Sequence, residues 1–220
     1  PESVGDSAGL YSLSLAINPV TDRPAISFGD DNRDLFYTYF DGSRWNTETV
    51  DSEKNMGGYS SLAFDRSGTA IVAYNSGLHY SNLMVATRSE DGSWKTEKVD
   101  RGQGPSHASF DGNAGYNPSL IVTDNGTFIA HRDGNTYASL RVSWRNTSET
   151  RWNSVITDFE PGFGDTGYWP ALILQQEGHP TTFYYDKYRD YLMQALYAFD
   201  WPYDEFYTSK NWHSRVGAVT

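Results

Sequence analysis

The stretch GYSSLAFD at residues 58–65 has two close relatives in the same chain, GYNPSLIVTD at residues 115–124 and GYWPALIL at residues 167–174. Each carries a small residue directly before a leucine, and the same pair occurs once more near the start of the chain. The four pairs are Ser14-Leu15, Ser61-Leu62, Ser119-Leu120 and Ala171-Leu172. Because they recur at intervals of about 50 residues, they indicate a chain built from copies of one structural unit.

Each unit contains four short apolar runs separated by polar turns. The third run opens on a leucine, and the fourth run pairs a tryptophan with an aliphatic residue a few positions later. The leucines are Leu35, Leu83, Leu140 and Leu192, and the pairs are Trp45 with Val50, Trp94 with Val99, Trp152 with Ile156, and Trp212 with Val216. Four-stranded units of about 40 to 50 residues are typical of β-propeller blades. The sequence therefore predicts an all-β protein, a single β-propeller over residues 1–220 with four four-stranded blades at approximately 9–51, 57–100, 115–158 and 167–217.

Two alternatives to this fold remain open at the level of sequence. A non-propeller β-sandwich would also use many short strands. Residues 186–199, DKYRDYLMQALYAF, would also fit an amphipathic helix, although their register with the other leucine-led runs favours a strand. No blade is split between the two chain ends, so either four blades close a small ring or the chain forms part of a larger ring. We expect the larger ring, completed by a partner chain or a further segment.

Composition excludes several partners. The formal net charge is -11 and the sequence contains no Lys/Arg cluster, which argues against nucleic acid and anionic membranes. No apolar stretch is long enough to span a bilayer. The chain has no cysteine and starts at Pro1, and we interpret that start as processed. These features suit a secreted, cell-surface or periplasmic protein.

The turns between the third and fourth runs carry a family resemblance. FDGSRW at residues 40–45 and SEDGSW at residues 89–94 look like degenerate Asp-box turns. Together with the pattern of residues 57–100, they resemble the repeats of bacterial extracellular β-propellers of the sialidase-like (BNR) type. In that family the Asp-box turns are structural and not catalytic. The third unit has NTSETRW instead, and the fourth has a long insert.

A polar face is the candidate ligand site, because the loops that follow the second strands share one end of a propeller. The second runs end on acids or an amide, with the fourth unit matching after an offset of one residue. The candidate residues on this face are Asp30, Asp31, Arg33, Asn75, His79, His107, Arg132, Asp133, Asp186 and Arg189. They either cap turns or line a funnel for a polar ligand. The sialidase-like resemblance implies a further hypothesis, in which Arg33, Arg132 and Arg189 clamp a carboxylate.

Metal binding and catalysis have little sequence support. GDDNRD at residues 29–34 offers Asp30, Asp31 and Asp34 as possible Ca²⁺ ligands, but it lacks the spacing of an EF-hand loop. No histidine has a partner at metal-ligand spacing, and no other cofactor is expected. Motifs of hydrolases and phosphate-binding loops are missing from the sequence.

An aromatic insert interrupts the fourth unit at residues 198–211, AFDWPYDEFYTSKN. Rigid aromatic side chains with polar tips are favoured at protein interfaces. We therefore expect the insert to contact a protein partner through Trp201, Tyr203, Phe206 and Tyr207.

Three functions follow from these observations. The first is a non-catalytic extracellular module that binds a partner protein or a glycan, with homo- or hetero-oligomerisation as a possibility. The second is a sialidase-like carbohydrate-active enzyme, either a glycoside hydrolase or a polysaccharide lyase. The third is a propeller lectin with one glycan site per blade. Sequence alone leaves open whether the protein is an enzyme.

Overall fold

The computed structural model describes residues 4, 8–53, 56–77, 81–102, 113–134, 138–158, 165–175, 180–196 and 217–218. Every regular element in these ranges is a β-strand. No helix in the described ranges is long and apolar enough to cross a membrane. The aromatic insert with Trp201, Tyr203, Phe206 and Tyr207 lies outside the described residues, as do His79 and His107.

The strands form four antiparallel sheets of four strands each, in chain order within every sheet. Blade 1 contains β1 Ala8–Asn18, β2 Arg23–Asp30, β3 Leu35–Phe40 and β4 Trp45–Asp51. Blade 2 contains β5 Ser60–Phe64, β6 Ala70–Ser76, β7 Asn82–Arg88 and β8 Trp94–Asp100. Blade 3 contains β9 Tyr116–Val122, β10 Gly126–Asp133, β11 Ser139–Asn146 and β12 Asn153–Asp158. Blade 4 contains β13 Tyr168–Leu174, β14 Pro180–Asp186, β15 Tyr191–Leu196 and β16 Gly217–Ala218.

The first strand of each sheet lies innermost. Strand β1 contacts β5, β5 contacts β9, and β9 contacts β13, so the sheets follow one another around a common axis. The propeller of four four-stranded blades is thus confirmed. The alternative helix over residues 186–199 is wrong where the structure describes it, because β15 pairs with β14 along Tyr191–Leu196.

The pairing of each inner strand with its second strand shows which residues of the four blades are equivalent. The leucine after the small residue pairs with the fourth residue of the second strand in blades 1 and 3, and with the third residue in blades 2 and 4. The pairs are Leu15 with Ile26, Leu62 with Val72, Leu120 with Ile129 and Leu172 with Thr182. Positions in different blades can therefore be compared by counting from these leucines.

Glycine is required where the chain enters two of the inner strands. Gly115 and Gly167 have φ angles of 87° and 81°, in the left-handed region that glycine tolerates. A Cβ at Gly115 would lie 2.9 Å from Leu83 Cα, and one at Gly167 would lie 2.8 Å from Leu140 Cα. The Gly-Tyr step thus lets the chain pass directly against the third strand of the preceding blade.

Apolar cores lie between successive blades and not within any one of them. Between blades 1 and 2, for example, Leu35 and Tyr37 pack with Leu62 and Val72. Similar clusters join blade 2 to blade 3 and blade 3 to blade 4. Since full burial of one large apolar side chain stabilises by about 1.5–3 kcal/mol, these interfaces hold the blades together.

A repeated hydrogen bond links neighbouring inner strands. The serine of one blade accepts a hydrogen bond from the backbone N–H of the leucine in the next blade. The N–H···Oγ distances are 2.9 Å for Leu62 to Ser14, 3.1 Å for Leu120 to Ser61 and 2.9 Å for Leu172 to Ser119. This explains why a small hydroxyl residue precedes the leucine, and the series ends in blade 4 with Ala171.

A second repeated link joins the outer strand of one blade to the second strand of the next. An aspartate ends each of β4, β8 and β12 and faces a buried side chain of the following blade. Tyr74 donates to Asp51 at 2.6 Å, Tyr184 donates to Asp158 at 2.7 Å, and His131 Nε2 lies 3.5 Å from Asp100 Oδ2. Burial, followed by the hydrogen bond to Asp51, raises the pKa of Tyr74, so its hydroxyl remains a donor at ordinary pH.

The Asp-box-like turns are stabilised by their own aspartates. Asp41 Oδ1 accepts hydrogen bonds from the backbone N–H of Ser43 at 2.8 Å and of Arg44 at 3.0 Å. Asp91 Oδ1 accepts from the N–H of Ser93 at 2.9 Å. In both turns the carboxylate serves the local backbone, which is a structural role.

Replacing Tyr74 by Phe tests the link between aspartate and tyrosine. We expect Tyr74→Phe to destabilise the protein by about 1.5–3 kcal/mol, because a hydrogen bond to a charged group is lost while Asp51 remains. Urea denaturation monitored by tryptophan fluorescence measures this change. The matched control is Tyr39→Phe, since the Tyr39 hydroxyl makes no hydrogen bond within the described residues; it should change stability by less than about 0.5 kcal/mol. Equal effects of the two variants would contradict the proposed role of Asp51.

Candidate ligand-binding face

The ends of the second strands meet the starts of the inner strands on one face of the propeller. Counting from the paired leucines, the last residues of β2, β6, β10 and β14 are equivalent: Asp30, Ser76, Asp133 and Asp186. Asn75 lies one position earlier than the three acids. The offset of one residue therefore belongs to the second unit, and the assignment of that offset to Asp186 was wrong.

Most of these polar residues are occupied by the protein itself. Asp30 Oδ1 accepts the backbone N–H of Asp34 at 2.8 Å. Asp186 accepts from the backbone N–H of Arg189 at 3.0 Å and from its guanidinium at 2.7 Å. Asn75 donates to the carbonyl of Ala114 at 2.9 Å. The contacts of Asp30 and Asp186 favour the turn-capping interpretation for these two residues, whereas Asn75 links blade 2 to the chain that enters blade 3.

Two of the three candidate clamp arginines also bind protein carboxylates. Arg132 donates to Asp165 at 2.7 Å and to the Tyr168 hydroxyl at 3.1 Å, with its guanidinium 4.0 Å from the centre of the Tyr168 ring. Arg189 pairs with Asp186. Arg33 occupies the turn after β2 with a φ of 66°. These contacts do not favour a three-arginine clamp, which stays a prediction.

Asp165 lies at the centre of a small charged cluster. Besides Arg132, it faces the Lys187 ammonium at 3.3 Å. Burial by itself would raise the pKa of Asp165, but the hydrogen bonds with Tyr168 and Arg132, together with the positive charges, hold that pKa below its ordinary value. At neutral pH this carboxyl is therefore ionised and cannot serve as a proton donor.

The acidic loop at residues 30–34 was the candidate Ca²⁺ site. Burial and the neighbouring charges of Asp30 and Asp51 raise the pKa of Asp34. In the described part of the chain, however, no three acidic or histidine side chains are grouped so as to hold a metal ion. Asp30 already accepts hydrogen bonds from Asp34 and Asn32. A Ca²⁺ ion at Asp30, Asp31 and Asp34 stays a prediction without geometric support.

Asp100, His131 and Ser143 have the residue types of a hydrolase triad but not its geometry. Both Asp100 and Ser143 contact the same imidazole nitrogen, Nε2, at 3.5 Å and 3.2 Å. The other nitrogen, Nδ1, accepts the backbone N–H of Gly115 at 3.2 Å. In a catalytic triad the acid and the nucleophile contact opposite nitrogens. Since His131 and Ser143 are also completely buried, this cluster is structural.

Arg141 completes this buried network between blades 2 and 3. Its guanidinium donates to both Asp100 oxygens, at 2.7 Å and 3.3 Å. Burial alone would raise the pKa of Asp100, but the hydrogen bond from His131 and the charge of Arg141 hold it well below its ordinary value.

The inner strands surround an axial cavity that the sequence analysis missed. Its volume is about 260 Å³, and all four blades contribute to its wall. The lining residues are Ser12, Leu13, Tyr59, Ser60, Asn117, Pro118, Trp169 and Pro170. The sequence carries one indication of this site. Blades 3 and 4 have Asn-Pro and Trp-Pro where blade 2 has a serine after Gly-Tyr, so their inner strands begin differently.

Trp169 is the most unusual residue of this cavity. Its φ of 47° lies in the left-handed region, which is strained for a bulky residue. The side chain is 66% exposed, and its ring stacks on Tyr185 with centroids 6.1 Å apart and planes inclined by 20°. Tyr185 is in turn held by a 2.7 Å hydrogen bond to Asp190. One face of the indole is therefore supported while the side chain remains open to solvent.

Polar groups stand beside this ring. Asn117 occupies the equivalent position in blade 3, also with a φ of 47°. Neither the Asn117 amide nor the Trp169 indole N–H has a hydrogen-bond partner among the described residues. Ser12 and Ser60 bond to each other at 2.8 Å on the cavity wall. The site thus offers a flat aromatic surface with free donors and acceptors, which suits a neutral polar ligand that has one apolar face.

Comparison with known proteins identifies the fold and no closer relationship. No protein-family model and no curated protein sequence matches the chain. Among solved structures it is similar to an endo-1,4-beta-xylanase from Bacteroides thetaiotaomicron VPI-5482, with 13% identity, a TM-score of 0.57, and 88% of this chain and 74% of that chain covered. It is also similar to the alpha-L-arabinofuranosidase Arb93A from Fusarium graminearum, with 14% identity, a TM-score of 0.61, and coverage of 89% and 64%. A third similar structure is AofleA from Arthrobotrys oligospora, with 11% identity, a TM-score of 0.61, and coverage of 98% and 59%.

These likenesses establish the fold, a β-propeller, which the matched xylanase and arabinofuranosidase share. At identities of 11 to 14% they show the fold alone. The chain spans between 59% and 74% of these three matched structures.

Replacing Asp100 by Asn tests the buried network. We expect Asp100→Asn to cost about 3 kcal/mol at pH 7, because it removes the carboxylate that pairs with the buried Arg141 guanidinium. The folded-state pKa of Asp100 is depressed, so its contribution is complete above the unfolded value of about 4 and is lost as the pH falls towards the folded value. The difference between wild type and variant should therefore shrink below about pH 4.

Urea unfolding at pH 7 and at pH 3 provides the measurement. The control is Asp124→Asn, which removes an exposed ion pair with Arg66 and should change stability by less than about 1 kcal/mol. A pH-independent effect of Asp100→Asn would contradict the depressed pKa.

Proposed function

We propose that this propeller is a non-catalytic glycan-binding module whose ligand stacks on Trp169 at the axial cavity. The observation that carries the proposal is the exposed indole, held in a strained backbone conformation and supported from behind by Tyr185. Strain of this kind persists only when the surrounding structure imposes it, and it is concentrated at functional sites.

The chemistry of the cavity matches that of a sugar ring. One face of a pyranose or furanose presents C–H groups, which pack on an aromatic ring, while the edge carries hydroxyls that need donors and acceptors. Trp169 supplies the aromatic surface, and Asn117, Ser12 and Ser60 supply polar groups on the cavity wall. Pockets that combine apolar walls with a few placed polar groups are typical binding sites for small ligands.

The structural neighbours support a carbohydrate ligand. Two of them are named as an endo-1,4-beta-xylanase and an alpha-L-arabinofuranosidase, so proteins with this fold include enzymes that act on carbohydrates. The resemblance of the Asp-box-like turns to those of extracellular sialidase-like propellers supports an extracellular location. Under this proposal the protein is secreted, on the cell surface or periplasmic, where polysaccharides are found.

Among the described residues, the cavity wall carries no acid, which favours binding over hydrolysis. Glycosidases of the usual type need two carboxyl groups, about 5–5.5 Å or 6.5–9.5 Å apart. None of the described residues that line the cavity is acidic. On the surrounding face Asp30 and Asp186 cap turns, and Asp165 is ionised between Arg132 and Lys187. These three carboxyl groups are therefore already engaged by other groups of the protein.

Trp169→Ala tests the site. Using soluble arabinan and xylan and their oligosaccharides as probes, we expect the variant to lose about 10- to 100-fold in affinity, equivalent to burying one large apolar group. Trp169→Phe should retain part of the affinity because a ring remains. Isothermal titration calorimetry and affinity electrophoresis measure these changes, and thermal melting checks that each variant folds.

A matched control is Trp45→Ala, which removes an indole from the outer strand of blade 1, where Trp45 packs on Phe40. It should leave glycan affinity unchanged. Equal losses for both tryptophans, or no binding to any polysaccharide, would contradict the proposal. Release of reducing sugar from these probes by the wild-type protein would show instead that the chain is a glycoside hydrolase.

A further inference from the structure

A second cavity lies between blades 1 and 2, and its volume is about 220 Å³. The turns that join β1 to β2, β3 to β4 and β5 to β6 contribute Thr21, Asp41 and Gly68 to its wall. Because the strands of each blade are antiparallel, these turns lie at the opposite end of the blades from Asp30 and Ser76. This inter-blade cavity shares no lining residue with the axial cavity, so it is a separate site.

The hydroxyl of Tyr37 is a polar group on the wall of the inter-blade cavity that packing does not explain. Tyr37 is only 4% exposed and belongs to the apolar core between blades 1 and 2. Its hydroxyl nevertheless has no hydrogen-bond partner among the described residues. Counting from the leucines that open the third strands, its equivalents in blades 2 and 3 are Val85 and Val142, which are both buried. An aliphatic side chain therefore satisfies the packing at this position, whereas a buried hydroxyl without a hydrogen bond is unfavourable.

Two further hydrogen-bond donors line the same cavity. The Tyr39 hydroxyl also lacks a partner in the part of the chain that the structure describes, and the Tyr39 ring stacks on that of Tyr37 with centroids 5.5 Å apart. The Arg23 guanidinium donates to the backbone carbonyl of Asp41. Arg23 forms no ion pair with any carboxylate of the described residues, so its charge is available to a ligand. Burial raises the pKa of Tyr37 to about 12, so its hydroxyl keeps its proton at neutral pH.

The other charged groups of the inter-blade cavity are already engaged. The Asp41 carboxylate accepts hydrogen bonds from its own turn. Arg88 donates to both oxygens of Glu48, at 2.8 Å and 2.6 Å. The rest of the wall is largely apolar and includes the half-buried ring of Phe64 and the buried Ala70. The cavity thus presents hydrogen-bond donors and one positive charge beside apolar surface.

We propose that the inter-blade cavity binds a small organic carboxylate, whose oxygens accept hydrogen bonds from Arg23 and Tyr37 and whose apolar part packs on Tyr39 and Phe64. The planar guanidinium of arginine matches the geometry of a carboxylate. The cavity is smaller than the roughly 300–1,000 Å³ of pockets for drug-sized molecules, so its ligand is one small ring or the end of a longer molecule. A free carboxylic acid and the uronate end of a glycan share this chemistry. The site is independent of glycan binding at Trp169.

Paired probes test the charge requirement and distinguish the two sources. Benzoate and glucuronate carry the carboxylate, and benzamide and glucose are their neutral counterparts. Isothermal titration calorimetry with the purified chain should detect binding of at least one carboxylate and of neither neutral probe. Tighter binding of benzoate identifies a free acid as the source, and tighter binding of glucuronate identifies a glycan end. The proposal is overturned if neither carboxylate binds, since water alone then satisfies the Tyr37 hydroxyl, or if the neutral probes bind equally well.

Substitutions then locate the bound carboxylate. Arg23→Gln and Tyr37→Phe should each lower its affinity by about 10- to 100-fold, because each removes a hydrogen bond to a charged group. The control is Arg151→Gln, which makes the same charge change at an exposed residue of blade 3 and should leave the affinity unchanged. Since Arg23 is exposed, Arg23→Gln preserves the fold and keeps the test decisive by itself. Unchanged affinity in Arg23→Gln, or equal losses in the control, would overturn the site.

Thermal melting without ligand separates a binding role of Tyr37 from a structural one. Because its hydroxyl has no partner among the described residues, Tyr37→Phe should melt no lower than the wild type when no carboxylate is present. With the carboxylate in excess, the wild type should gain more in melting temperature than the variant. A lower melting temperature of the variant without ligand would show that the hydroxyl serves the fold, and the proposal would then be wrong.

Discussion

Every four-stranded sheet in this protein has two apolar faces, and neither face can be covered from within the same blade. The cores therefore lie between blades, and the leucine that follows the small residue is buried only when a preceding blade is present. The hydrogen bond from that leucine to the serine of the preceding blade fixes the inner strands at close range. The sequence repeat and the arrangement of the inner strands around one axis both follow from this single requirement.

Sequence reasoning predicted the architecture well because the repeat reports packing directly. Leu35, Leu83 and Leu140 open third strands, Trp45 and Trp94 open fourth strands, and the Gly-Tyr steps lead into inner strands. The correct register of blade 2 could not be obtained in this way. Asn75 resembles the acids that end the other second strands, yet the ladder with β5 places Ser76 at their position. A repeat of apolar runs indicates which residues face the core. A polar residue at the end of a strand has no such periodicity, so its position in the blade cannot be predicted from the sequence.

The candidate site was harder to predict, for a physical reason. Asp30, Asp186, Arg132 and Arg189 were singled out for their charge, but charges at loop ends are as useful for closing turns and ion pairs as for binding ligands. Trp169 could not be predicted as a site residue because it lies within the repeat, where an aromatic residue is expected to pack in the core. Only its backbone conformation and its exposure distinguish it from a core residue, and both are properties of the folded chain.

In the described part of the chain, the apolar cores join each blade to the next one, which is the nearest-neighbour arrangement of repeat proteins. The two middle blades are coupled on both sides, whereas blades 1 and 4 are each coupled on one side by an extensive apolar core. Such arrays open most readily at their ends. We therefore expect the amide hydrogens of blades 1 and 4 to exchange faster than those of blades 2 and 3. Trp169 and its supporting Tyr185 both belong to a terminal blade. The proposed binding surface therefore lies on a blade that, among the described residues, shares an apolar core with one neighbouring blade only.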